Sequence, residues 1–321
     1  MKFIDLFCGI GGFRIAFESV GGNCVYSSDI DKYACETYLS NFGDFPLSDI
    51  TKVDEKLIPD FDILCAGFPC QPFSIGGLRK GFKDTRGTLF FDIERILREK
   101  KPKAFILENV KGLVNHDKGN TLNTILNKLA KNINGFSNET KYEDCLNYDV
   151  HFKVLNSKDF GVPQNRERIY IIGFKKQAKF NFPKSDVKIH LTDVIDKTVP
   201  ENSISEILKK NIEFHLNNRK DFDIIKQHDF LLAYEVRKSR STFRFDNLSP
   251  TLTAKMGTGG NNVPIIVNLK RKLTTKECLK IQGYPDEFKI KENNSQSYKQ
   301  IGNSVSVPVI KELAKEIFKF I

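Results

Sequence analysis

The stretch KFIDLFCGIGGF, residues 2–13, decides the fold. An apolar run of strand length stops at Cys8-Gly9-Ile10-Gly11-Gly12, and Phe13, Ala16, Phe17 and Val20 then recur at helical spacing. Strand, glycine-rich turn and helix in that order open a ligand-binding α/β domain, where glycines let a ligand approach the backbone. An acidic residue about 20 positions further on binds ribose hydroxyls in such units. Asp29, at the end of a second strand over 24–28, is suitably placed. The third glycine of GxGxxG is missing, which disfavours a nicotinamide dinucleotide and favours an adenosine ligand without a pyrophosphate to cradle.

Outward from this unit the alternation continues. A helical pattern over 33–39 follows the second strand, Asp49 closes a short segment, FDILCAG (61–67) reads as a strand, 89–99 as a helix and AFILENV (104–110) as another strand. Repeated βα units imply an α/β fold, a Rossmann-like domain with a mostly parallel sheet and helices on both faces. In FDILCAGFPCQPFS (61–74), Pro69 and Pro72 cannot continue a central ladder, so Cys70 falls on the loop beyond the strand. Loops at the carboxyl ends of such strands carry chemistry, although a lone cysteine is by itself as well explained as a buried thiol.

A chain of 321 residues, 40% hydrophobic and 28% charged, has the composition of a globular protein large enough for two lobes. No apolar run reaches membrane-spanning length, and the amino terminus turns polar too early for a signal peptide, so a cytoplasmic protein is expected. Seven cysteines without a CxxC pair and five dispersed histidines indicate neither a disulfide framework nor a zinc site. Charge is uneven. Residues 1–70 hold 5 Lys/Arg against 11 Asp/Glu, whereas 231–280 hold 10 against 3, the pattern of a chain with one part facing a polyanion.

The ordered motifs DLFCGIGGF, SDIDKYA, GDFPLSDIT, GFPCQPFS, RGTLFFDI, ENV, QNRERIYIIGF, RKLTTKECLKIQGYPDEF and QIGNSV resemble those of the DNA (cytosine-5)-methyltransferases along almost the whole chain. The resemblance implies methyl transfer from S-adenosyl-L-methionine, leaving S-adenosyl-L-homocysteine, to C5 of a cytosine flipped out of double-stranded DNA, with no metal. C5 is a poor nucleophile. A thiolate added to C6 makes an enamine-like ring whose C5 can attack, and elimination releases the thiol.

By this resemblance Cys70 is the nucleophile, Glu108 engages N3 and N4 of the base, Arg168 lies near O2, and Arg166 supports the pocket or a phosphate. Phe7, Gly9, Gly11, Asp29, Ile30, Asp49, Ile50, Leu89 and Asn303 match cofactor positions. Ile30 stands where a close relative has a tryptophan on the adenine, so weaker stacking is expected. The glycine-rich basic loop 71–88, with Ser74 and Arg86, is expected to close over DNA.

After about residue 183 the βα rhythm fails. Residues 185–289 are expected to form a target-recognition domain inserted between catalytic segments 1–184 and 290–321. Arg237, Arg240 and Arg244 are candidate readers of guanine edges, and Thr251 and Thr253 match a motif that supports DNA contact. The expected role is site-specific modification by a monomer, paired with a restriction endonuclease and associated with the nucleoid. A transfer-RNA cytosine methyltransferase and a non-catalytic DNA-binding regulator are the alternatives.

Overall fold

The computed structural model describes residues 1–69, 89–201, 204–221, 228, 230–259 and 262–321. Cys70, Ser74, Arg86 and the basic loop lie outside the described residues. Two compact units emerge: Met1–Leu155, Glu167–Lys184 and Val309–Ile321 form one, Asn156–Arg166 and Ser185–Pro308 the other.

The first unit holds β1 (Lys2–Leu6), α1 (Gly12–Glu18), β2 (Asn23–Ser28), α2 (Lys32–Phe42), β3 (Ile63–Gly67), α3 (Phe90–Lys100), β4 (Ala104–Val110), α4 (Asn120–Leu129), β5 (Ala130–Ile133), β6 (Phe136–Ser137), β7 (Tyr148–Asn156) and β8 (Glu167–Phe174). Among the described residues these strands form one sheet in the order β2-β1-β3-β4-β8-β7-β5-β6. β2, β1, β3 and β4 run parallel, and the near-continuous burial of β1, β3 and β4 is what a sheet covered on both faces requires. Alternation along β1 shows the two layers. Ile4 and Leu6 join a core with Phe90, Ile93 and Leu97 of α3 and Ile125 of α4. Phe3, on the opposite face, packs its ring 5.2 Å from Phe17 of α1.

The SDIDKYA motif is partly a capping device. Asp31 accepts the N–H groups of Tyr33 and Ala34 to start α2, and Gly43, at φ 80, ends it. β8 departs from the parallel pattern, pairing antiparallel with β4 so that Arg168 lies opposite Val110. The beginning of β8 therefore sits at the carboxyl end of β4.

The second unit contains α5 (Glu206–Asn217), β9 (Leu232–Tyr234), β10 (Thr242–Arg244), β11 (Ile265–Ile266), β12 (Arg271–Lys272), α6 (Thr275–Gln282) and α7 (Ser295–Asn303). Its four strands form an antiparallel sheet in the order β10-β9-β11-β12. Leu208 and Ile212 of α5 share a small core with Ala233, Phe243 and Ile265. A capping box between Thr274 and Glu277 starts α6. The chain then enters α8 (Val307–Phe318), whose Phe318 ring meets Phe17 at 5.9 Å in the first unit.

Candidate active site

Phe7 leaves β1 with φ 55, a conformation that costs a bulky residue about 1–3 kcal/mol and concentrates at functional sites. Gly9 follows at φ 54, and a Cβ placed there would meet nothing within 4 Å. The turn backbone is thus open to an approaching ligand. Gly11 packs tightly instead, against the Phe42 ring. The carboxylate of Asp29 ties the turn to the end of β2, accepting the Gly9 N–H at 2.8 Å and the Asp31 N–H at 2.8 Å. Burial raises its pKa above the ordinary carboxylate value, and those two N–H donors oppose the rise. Ile30, next in sequence, is 72% exposed and offers an apolar face.

Asp49 accepts the Thr51 hydroxyl at 2.7 Å and its N–H at 3.1 Å, and the hydroxyl is the main cause holding its carboxyl below the usual range. Ile50 is buried in the core, so it can offer a ligand mainly its backbone, and half-buried Leu89 precedes α3. Arg95 of α3 fixes this segment from behind. Its guanidinium donates to the carbonyls of Ile50 at 2.9 Å and Val53 at 2.8 Å while pairing with Glu55 and Asp92.

Glu108, near the end of β4, and Arg168, near the start of β8, meet through Oε1 and Nε at 3.0 Å. Their side chains are 10% and 12% exposed, so the pair works largely out of water, where electrostatic interaction is strong. Arg168 also donates to the Glu167 carbonyl at 2.8 Å, and its contact with Glu108 is made through Oε1. A carboxyl group held through one oxygen can engage a bound base through the other. Buried Asn109 donates from Nδ2 to the carbonyl of Phe68 at 3.0 Å, clamping the chain two residues before Cys70. Phe68 is itself buried against Phe90.

In the second unit Arg166 is 3% exposed. It donates to the carbonyls of Leu252 and Ser304, both at 2.7 Å, and reaches that of Gly302 at 3.5 Å. Gln164 accepts the Leu252 N–H, and the Thr251 hydroxyl donates to the Asn165 carbonyl. Segment 164–166 thereby fixes the Thr251-Leu252-Thr253 backbone, with Thr253 exposed. Gly302 allows the approach, since a Cβ there would lie 2.1 Å from the Thr253 carbonyl carbon. Asn303, exposed at the end of α7, is carried by the same framework.

Of the candidate base readers, Arg244 forks onto Asp246 through Nε and Nη2. Arg237 donates to Asn262 at 3.2 Å and Arg240 to Glu235 at 2.7 Å. Among the described residues no group of three or more His, Cys, Asp or Glu side chains is placed to hold a metal ion, and no helix is long and apolar enough to cross a membrane.

The sequence reading missed Asn109, Arg95 and Glu235. Asn109 could have been noticed as a polar residue inside an apolar strand. Arg95 follows an ordinary helical charge pattern and carries no such signal.

A family model for C-5 cytosine-specific DNA methylases matches residues 1–319. The chain is 44% identical over 327 residues to the Type II methyltransferase M.HhaI of Haemophilus parahaemolyticus, covering 99% of this chain and 94% of that protein. It is 44% identical over 337 residues to the Type II methyltransferase M.HpaII of Haemophilus parainfluenzae, covering 99% and 89%. Among solved structures, a putative DNA modification methyltransferase encoded within an E. coli prophage aligns with a TM-score of 0.70 at 23% identity, covering 100% of this chain and 99% of that one. The Entamoeba histolytica methyltransferase EhMeth aligns at 0.69 and 21%, covering 99% and 98%. At those identities the structural likeness bears on the fold.

Proposed function

The chain belongs to the C-5 cytosine-specific DNA methylase family, and from that premise we propose that it methylates cytosine within a short site in duplex DNA, with Cys70 as nucleophile and the Glu108–Arg168 pair holding the base. The observation that carries this reading is the 3.0 Å contact between Glu108 and Arg168, largely out of water on the strand beside the one leading to Cys70. The Cys70 thiolate adds to C6 of the cytosine, and the displaced electron pair moves into the ring toward N3. Glu108 supports that charge from Oε2, donating a proton, while Arg168 orients the carboxyl group and stands near O2. Once C5 has gained the methyl group that the bound cofactor would supply, loss of the C5 proton to solvent lets the ring expel the thiolate, and the proton on N3 returns to Glu108.

S-adenosyl-L-methionine fits the first unit, and when bound it supplies the electrophilic methyl group. The open turn at Gly9 and the exposed face of Ile30 support this fit, with Asp29 and Asp49 as polar partners for ribose and adenine and Phe7, Gly11, Ile50 and Leu89 completing the set in this unit. Asn303 of the second unit is a further proposed cofactor contact. Arg95 acts on this site through the Ile50–Val53 backbone. Arg95→Ala is therefore expected to raise KM for the cofactor about tenfold with a smaller change in kcat, as part of a charge-assisted hydrogen bond is lost to binding. Equal changes in both constants, or no recovery in Arg95→Lys, would remove this positioning role.

Arg166 serves by holding the Thr251–Thr253 and Ser304 segments. Ser74, Arg86, Arg237, Thr251 and Thr253 are proposed contacts to DNA. The full proposal has the protein act as a monomer in the cytoplasm, on the nucleoid, protecting DNA from a partner restriction endonuclease. Bisulfite sequencing of duplex DNA incubated with protein and cofactor tests the core of it. Methylation confined to one short motif and absent with Cys70→Ala is the expected result, whereas methylation that survives in Cys70→Ala would exclude the thiol mechanism.

A further inference from the structure

The hairpin joining β9 to β10 carries Glu235 at its base and Arg237, Lys238 and Arg240 around its tip. Its turn closes through the Arg237 N–H on the Arg240 carbonyl at 2.8 Å. From α5, His215 Nε2 lies 3.1 Å from the carbonyls of both Arg237 and Lys238, so that nitrogen must carry a proton and donate. A braced two-stranded ribbon with a basic tip is a shape the major groove admits.

Two features single out Glu235. Its φ is 51, in the left-handed region where glycine or asparagine would be cheaper, so the chain keeps a carboxylate at a position that disfavours one. It also lines a cleft of about 190 Å3 with Thr251, Thr253, Lys255 and Asn262, joining the ribbon to the threonines that the proposed function places on DNA.

Resting on that proposed function, we propose that Glu235 and Arg240 together read one G·C base pair in the recognition site. Arg240 donates to O6 and N7 of guanine, and Glu235 accepts from the N4 amino group of the paired cytosine. The donor and acceptor order matches that edge of the base pair. In the free protein the two side chains satisfy each other at 2.7 Å, while their exposure, 65% for Arg240 and 42% for Glu235, leaves both accessible. Arg244 is unsuited to this task. Asp246 occupies the Nε and Nη2 edge that would fork onto guanine, and the Arg244 side chain is only 18% exposed.

The test compares wild type, Glu235→Gly, Glu235→Gln and Arg240→Ala by bisulfite sequencing on a duplex library representing all base contexts around cytosine. Glu235→Gly removes the carboxylate and relieves the backbone, so it separates reading from folding. Both Glu235 variants are expected to relax the preference about tenfold or more at a single position, the same one relaxed by Arg240→Ala. An unchanged preference, relaxation at different positions, or complete loss of methylation by a folded Glu235→Gly protein would overturn the proposal while the wild-type motif stands. Absence of any wild-type methylation would instead overturn the function it rests on.

Discussion

Glu108→Gln is expected to slow methylation by about 10²- to 10⁴-fold, the range for removing a positioned proton donor. The substitution keeps the size and planarity of the side chain. It also retains an oxygen that can accept from Arg168 Nε, the 3.0 Å contact that joins β4 to β8. The amide has no acidic proton to give as charge develops toward N3. Stability and DNA binding should change far less than the rate. The check is single-turnover methylation on a saturating duplex, accompanied by an unfolding curve. A rate within about tenfold of wild type would take Glu108 out of the proton-donating role and leave it as a structural partner of Arg168.

Arg271→Ala should produce the largest loss of stability, about 3–5 kcal/mol, because it strands a buried carboxylate. Arg271 is wholly buried in β12 and Glu277 is 2% exposed in α6. Glu277 Oε1 accepts from Arg271 Nη2 at 2.7 Å and from the Asp196 N–H at 3.0 Å. Its Oε2 accepts from Arg271 Nη1 at 2.9 Å and from the Thr274 N–H at 2.8 Å. Arg271 Nη2 also donates to the Asp196 carbonyl, so one side chain joins β12, the start of α6 and the loop near 196. Denaturant unfolding gives the total. Hydrogen exchange in α6 locates the damage. A loss below about 1 kcal/mol would mean that the site relaxes and admits water, the behaviour of a surface pair.

The βα units and the open glycine turn were legible because each rests on local signals: a run of apolar residues, a helical period, a turn residue. The same reading identified Glu108 and Arg168 only through motif resemblance. Nothing local says that β8 runs against β4, which is what brings a strand's beginning to another strand's end. The clamps were not legible for a related reason. Arg166 reaches carbonyls 86 and 138 positions away, and Arg95 reaches back 42 and 45. Backbone acceptors have no residue type, so no pairing of letters announces them. Arg240 and Arg244 look alike in sequence, and their carboxylate partners and exposure in the fold separate them.

The placement of α8 bears on how the protein is made. Phe318 lies against Phe17, and Phe320 against Phe174 and Phe180, so residues 309–321 complete a layer begun by the first strands. At about 5–20 residues per second the stretch from Phe174 to Val309, about 135 residues, takes roughly 7–27 s to synthesise. Over that interval the aromatic surface formed by Phe17 and Phe174 waits uncovered while the intervening unit emerges. A nascent chain halted before residue 309 would carry an open aromatic surface, a natural target for chaperones and proteases, so emergence of residues 309–321 is the event that closes this layer.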